Sequence, residues 1–273
     1  MQSATRSVRL SNATLVLDDA GAGLPVLLLH GFPATRALWS GVAPTLLALG
    51  FRVLIPDLVG YGASEAQPDV RVDMASQAGW MLELLDTLGL ESAILVAHDV
   101  GSAAAQLMLA AAPARIRALA ILDGVYAGEW AMDAIASIRN WDPAAAGRLG
   151  PVLARRLGKT AAMRELLAAW AGEAGGRRLI RAARDLDPAQ TARITETLRA
   201  ARVPALVLWG EHDQFLPLDS VGRPLAQLLG APLVLLPGAH FTPLDCPAEV
   251  AAALRGFLTR WSALSNATPS RGV

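Results

Sequence analysis

Cysteine is almost missing from this 273-residue chain. Cys246 stands alone, so no internal disulfide framework can form, and a reducing, cytoplasmic setting is expected. Net charge is missing too: 24 Lys and Arg balance 24 Asp and Glu. That balance argues against nucleic acid or an anionic membrane surface as the main partner. No apolar run approaches the roughly 20 residues that a spanning helix needs. The opening stretch MQSATRSVRLSN lacks the apolar segment of a secretory leader, so none is expected. The four histidines do not stand at ligand spacing with Cys or carboxylates, so no metal is expected. No Gly-rich phosphate cradle follows a strand, so no organic cofactor is expected.

What is abundant is apolar surface, at 53% of residues. The length suits one large α/β domain with an inserted subdomain. Continuous apolar runs at 25–31, 52–57, 93–99, 117–124, 204–213 and 231–240 each predict a buried strand. Helix-like segments separate them, which predicts a parallel sheet covered on both faces. The alternating stretch 9–25 predicts an antiparallel start. Between Tyr126 and Arg202 no strand is expected, only short helices punctuated by Pro and Gly. The expected layout is a core of 1–124 and 203–261, a helical cap over 125–202, and a disordered polar tail over 262–273.

Polar residues cluster at the strand ends, where parallel sheets bind ligands. Ala97-His98-Asp99-Val100-Gly101 closes a strand and opens a helix. This is the setting of a nucleophile elbow, in which small neighbours let a strained turn lift one side chain clear of the sheet. Asp213 and His240 follow two later strands, in the chain order nucleophile, acid, histidine. Asp123, ending the strand before the cap, is an alternative acid; it could equally cap a turn. Glu129 is a third acid position, or simply a solvated one. The N–H groups of Phe32, in HGFP (30–33), and of Val100 could form an oxyanion hole. His30 is expected to brace that loop, and His98 to point away from the site.

HGFP, PDLVGYGASE (56–65), HDVG (98–101), WGEHDQFLP (209–217) and GAH (238–240) together resemble the α/β-hydrolase superfamily. The resemblance spans nearly all of the chain outside the cap. It implies an eight-stranded, mostly parallel sheet with helices on both faces and an inserted helical cap. HGFP with HD at the elbow looks like the epoxide hydrolase and dehalogenase branch, which uses an aspartate nucleophile. That implies attack of Asp99 on an sp3 carbon to form an alkyl-enzyme ester, which water activated by His240 then hydrolyses. The substrate would be a small, largely apolar organic molecule, the protein a monomer or homodimer.

The leaving group is where the signatures diverge. Epoxide hydrolases supply two cap tyrosines; here there are only Tyr61, in the core, and Tyr126, at the start of the cap. Haloalkane dehalogenases carry Trp after the nucleophile and fluoroacetate dehalogenases carry Arg there and one turn later; here those places are Val100 and Ala103. The indole N–H groups of Trp39, Trp130, Trp141 and Trp170 could hold a halide, or these residues could be packing. A weak preference for carbon–halogen cleavage follows, with epoxide hydrolysis beside it. Arg139 and Asn140 could meet a polar substrate or sit on a solvated face. A lyase or cyclase, an ester or lactone hydrolase, and a ligand-sensing protein stay open as other uses of the same fold.

Overall fold

Runs of Val, Ile and Leu too apolar to face water on either side are forced into the middle of the sheet. In a computed structural model, described for residues 4–265 with side chains to 259, they form its central strands. The strands are β1 (Ala4–Arg9), β2 (Ala13–Ala20), β3 (Pro25–Leu29), β4 (Arg52–Pro56), β5 (Glu65–Ala66), β6 (Ala93–His98), β7 (Ile116–Leu122), β8 (Ala205–Gly210) and β9 (Leu233–Leu236). Their order is β1-β2-β4-β3-β6-β7-β8-β9. The two-residue β5 pairs with β2 and makes nine strands rather than eight. β1, β2 and β4 pair antiparallel; from β4 through β3 to β9 every pairing is parallel.

Every residue of β3, β6 and β8 is buried, as continuous apolar strands require. β9 differs from the expectation of a buried strand. It closes the sheet on one side only, and Val234 and Leu235 are exposed.

Between β7 and β8 the chain is helical: Met132–Arg139, a 3-10 turn at Pro143–Arg148, Leu149–Leu157, Ala161–Leu167, Gly172–Asp185, Ala189–Ala192 and Thr195–Ala200. Local chemistry sets these boundaries. Asp142 accepts the Ala144 N–H with Pro143 at the first position, and Thr160 accepts the Met163 N–H. Trp170, fully buried, donates its indole N–H to the Pro33 carbonyl at 2.7 Å, tying this helical layer to the loop after β3. At the far end, helix Pro247–Ser265 runs into the stretch 262–273 assigned above to a disordered tail; residues 266–273 lie outside the described residues. No helix among the described residues is long and apolar enough to cross a membrane.

Candidate active site

β6 ends at His98 and the chain turns sharply into helix Gly101–Ala111, leaving Asp99 with φ of 51°. Left-handed backbone is costly for a residue with a Cβ, and Asp is among the few that tolerate it. The turn is possible because its surroundings lack side chains. A Cβ on Gly31 would sit 2.5 Å from the Asp99 Cβ and Oδ2, and one on Gly101 would sit 2.3 Å from the His30 carbonyl oxygen. The loop after β3 and the elbow after β6 are therefore in direct contact.

That contact fixes the carboxylate. The Phe32 N–H donates to Asp99 Oδ2 at 2.8 Å, and the Val100 N–H also bonds the Asp99 carboxylate. His30 braces the loop from below: its Nε2 accepts the Leu58 N–H at 2.9 Å, and its Nδ1 lies 2.9 Å from the Gly31 carbonyl. Burial pushes the Asp99 pKa above the usual carboxylate range, against the pull of His240 and the two N–H groups.

His240 bridges two aspartates. Its Nδ1 lies 2.9 Å from Asp213 Oδ2, and its Nε2 lies 3.8 Å from Asp99 Oδ1. The second distance is beyond a hydrogen bond. Asp213 is immobilised at its other oxygen by the N–H groups of Phe215 (2.8 Å) and Leu216 (3.0 Å). Burial disfavours the imidazolium, but the Asp213 bond and then the charges of Asp99, Asp213 and Asp123 outweigh it, raising the His240 pKa to about 9. Burial likewise opposes charge on Asp213, yet the His240 contact and the two N–H bonds hold its pKa below the usual value.

Asp123 is placed differently. It also has positive φ, 43°, but its Oδ1 accepts the Gly210 N–H at 2.6 Å and its Oδ2 takes the Thr242 hydroxyl. Burial raises its pKa to about 8. It stitches β7 to β8 and to the segment after His240, and no hydrogen bond joins it to the imidazole. Glu129 is bonded through its backbone to Tyr126 and lies outside this cluster.

His98 is the contact that sequence reasoning missed. Its side chain turns away from Asp99, as expected, and its Nε2–H donates to the His240 backbone carbonyl at 2.7 Å. Burial depresses its pKa to about 3, so the ring is neutral.

Above Asp99 lies a cavity of about 240 Å³, with Phe32, Asp99, Phe215, His240 and Phe241 on the sheet side. The other wall is helical and mostly apolar, with Ile135, Ile138, Leu149, Val152, Leu153 and Leu157. Trp130 and Trp141 line it, but Trp39, Trp170 and Tyr126 do not. Two of the four indoles thus line the cavity with Asp99, and the N–H of each is bonded to protein. Trp130 donates to Thr191 Oγ1 at 2.8 Å, Trp141 to the Ala145 carbonyl at 3.0 Å, and Trp170 to Pro33. Trp39 is fully buried. Tyr61 is core, packed edge-on against His30, Phe32 and Trp170. Arg139 reaches the Leu186 carbonyl rather than the cavity, and Asn140 is not among the lining residues.

Two polar lining residues went unforeseen, Ser137 and Arg156, along with the aliphatic wall. Arg156 had a readable signal. Leu149, Val152, Leu153 and Arg156 stand at i, i+3, i+4 and i+7, so the arginine belongs to the cavity-facing stripe.

The family model for the alpha/beta hydrolase fold matches residues 25–150. The sheet order, the elbow and the full-length superposition on solved structures agree with it. The chain has the α/β-hydrolase fold. Haloalkane dehalogenase DbeA from Bradyrhizobium elkani USDA94 superposes with a TM-score of 0.82 at 23% identity, over 97% of this chain and 100% of that one. A thermophilic esterase from Thermogutta terrifontis does so at 0.74 and 24%, over 95% and 99%. At such identities these likenesses speak for the α/β-hydrolase fold alone. In sequence, an epoxide hydrolase from Caballeronia sordidicola is 35% identical over 35% of this chain and 29% of its own length. A fluoroacetate dehalogenase from Burkholderia sp is 38% identical over 43% of this chain and 40% of its own. The chain thus spans less than half of the length of either.

Proposed function

We propose that the protein is a hydrolase that attacks an sp3 carbon of a small organic substrate with Asp99. The observation that carries this reading is the state of the Asp99 carboxylate: Oδ2 sits on the Phe32 N–H, Oδ1 faces His240 across 3.8 Å, and the residue borders the cavity. A serine elbow would aim its N–H groups at a substrate carbonyl; here they already hold the enzyme's own carboxyl. Asp99 Oδ1 forms a C–O bond as the bond to the leaving group breaks, and the leaving group departs with the electron pair.

The resulting ester is neutral, so His240 loses one of the charges that raise its pKa and releases its proton to solvent. It then takes a proton from water as the hydroxyl attacks the Asp99 ester carbonyl. The negative oxygen that develops is Oδ2, on the Phe32 N–H, with the Val100 N–H also bonded to this carboxyl group. Collapse releases the alcohol, which takes the proton from His240. The Asp99 carboxylic acid returns its own proton to His240, restoring the resting pair. Asp213 is the acid that holds His240 in this scheme.

Carbon–halogen cleavage is the preferred reading because a halide departs without a proton and no tyrosine lines the cavity. Epoxide hydrolysis is the second reading, supported by the relative of that name.

The test uses His240→Gln, which blocks ester hydrolysis. The variant is incubated with small haloalkanes, halogenated acids and epoxides, and peptides are weighed. An adduct on the Asp99 peptide is expected, and its mass distinguishes halide loss from ring opening. No adduct, with no halide or diol released by the wild type, overturns the reading in favour of a non-hydrolytic or ligand-sensing protein.

A further inference from the structure

The cavity wall is apolar except at a few points, and one of them carries an unspent positive charge. Arg156 lines the cavity and is also solvent-exposed, which puts it at the opening, whereas Asp99 is buried at the floor. Within 125–202, Arg139, Arg164, Arg177, Arg178, Arg181, Arg184 and Arg199 bond carbonyls or carboxylates, whereas Arg148, Arg155, Arg193 and Arg202 have no such partner among the described residues but do not line the cavity. Arg156 has no hydrogen-bond or ion-pair partner among the described residues. It nonetheless occupies the i+7 place of an otherwise aliphatic stripe, where Leu or Val would bury more surface.

Charge distribution points the same way. The chain is neutral, yet residues 125–202 hold 13 of its 24 basic residues and only 8 of its 24 acidic ones. The helical layer that walls the cavity therefore carries a net positive charge.

We propose that Arg156 receives a carboxylate on the substrate, so that the protein's substrates are carboxylic acids whose electrophilic carbon lies at the far end of an apolar chain. This inference deepens the proposed function and rests on it. The guanidinium fork matches a carboxylate with two parallel N–H bonds. The two ends lie apart because Arg156 stands exposed at the opening and Asp99 buried at the floor. The aliphatic wall of Ile135, Ile138, Leu149, Val152, Leu153 and Leu157 fills the interval. The volume, about 240 Å³, is below the roughly 300–1,000 Å³ of pockets for drug-sized ligands and suits a short chain. The positions after the elbow, Val100 and Ala103, offer no cation.

Octanoate and octanol, which carry no leaving group, separate this inference from the chemistry at Asp99. Calorimetry on the wild-type protein at low salt is expected to show octanoate binding about tenfold tighter than octanol or more. Arg156→Gln is expected to abolish the difference and Arg156→Lys to keep part of it; added salt should shrink it. Equal affinity for the two ligands, failure of octanoate to bind, or an equal effect of Arg156→Gln on both overturns the proposal. A second arm treats His240→Gln with ω-bromooctanoate, the terminal epoxide of octanoate, and the matching alcohols. Faster adduct formation on Asp99 from the acids is expected. Octanoate binding through Arg156 with no adduct would sink the Asp99 chemistry alone; adducts formed equally fast from acids and alcohols would sink the Arg156 role alone.

Discussion

The indole N–H of Trp170 donates to the carbonyl of Pro33 at 2.7 Å, so a residue of the helical layer holds the loop whose next-door N–H, that of Phe32, holds Asp99. Trp170→Phe keeps most of the ring but leaves the Pro33 carbonyl buried and unpaired. Stability is expected to fall by about 1–3 kcal/mol, measured by denaturant unfolding. An unchanged midpoint would mean that water replaces the bond.

The charge of Asp99 supports the proton on His240. Asp99→Asn imitates the neutral ester, so the His240 pKa should drop from about 9. Titration of the imidazole by NMR in both proteins checks this. An equal pKa in the variant would remove the proposed switch from charged partner to base.

Asp213 and Asp123 can be told apart by replacement. Asp213→Asn should lower turnover about a hundredfold or more, because it disturbs the tautomer and orientation of His240. Asp123→Asn should change turnover far less, since Asn can accept from Gly210 with its oxygen and donate to Thr242 with its amide. If the two losses were reversed, Asp123 would be the acid.

Asp123 also makes stability depend on pH. Its folded pKa, about 8, lies above the unfolded value near 3.9. Between those values the folded state binds the extra proton, so its contribution to stability falls as pH rises through the window. The neutral variant Asp123→Asn should flatten that slope in unfolding curves taken from acid to mildly alkaline pH; a slope as steep as the wild type's would assign it to other groups.

Trp141 lines the cavity, but its N–H is committed to Ala145. Trp141→Phe should therefore change kcat/KM for a haloalkane by less than about tenfold, or about 1.4 kcal/mol. A loss of a hundredfold would mean that the indole turns to meet the leaving group.

The core was legible because its signals are local. AHDVG between an apolar run and an Ala-rich helix already marks the elbow, and HGFP marks the loop that meets it. Asp213 and His240 follow strands whose apolar runs are unmistakable. The helical layer was not legible in the same way. Its helices are short, and its three tryptophans are apolar enough to pack anywhere. Whether an indole faces a cavity or a carbonyl depends on contacts such as Trp130 with Thr191, 61 residues apart in the chain. The residues after His98 gave no hint that its ring reaches back to His240, because that bond spans 142 positions.

β6 and β7 run side by side with His98 opposite Leu122, so Asp99 and Asp123 are the next residues of two neighbouring strands. Both leave their strand through the same left-handed kink. In evolutionary terms the molecule carries a second buried carboxyl one strand away from Asp99, bonded to Gly210 and Thr242. A descendant could transfer the histidine's partner from Asp213 to Asp123 by changing Thr242 and a few neighbours, leaving every strand where it is.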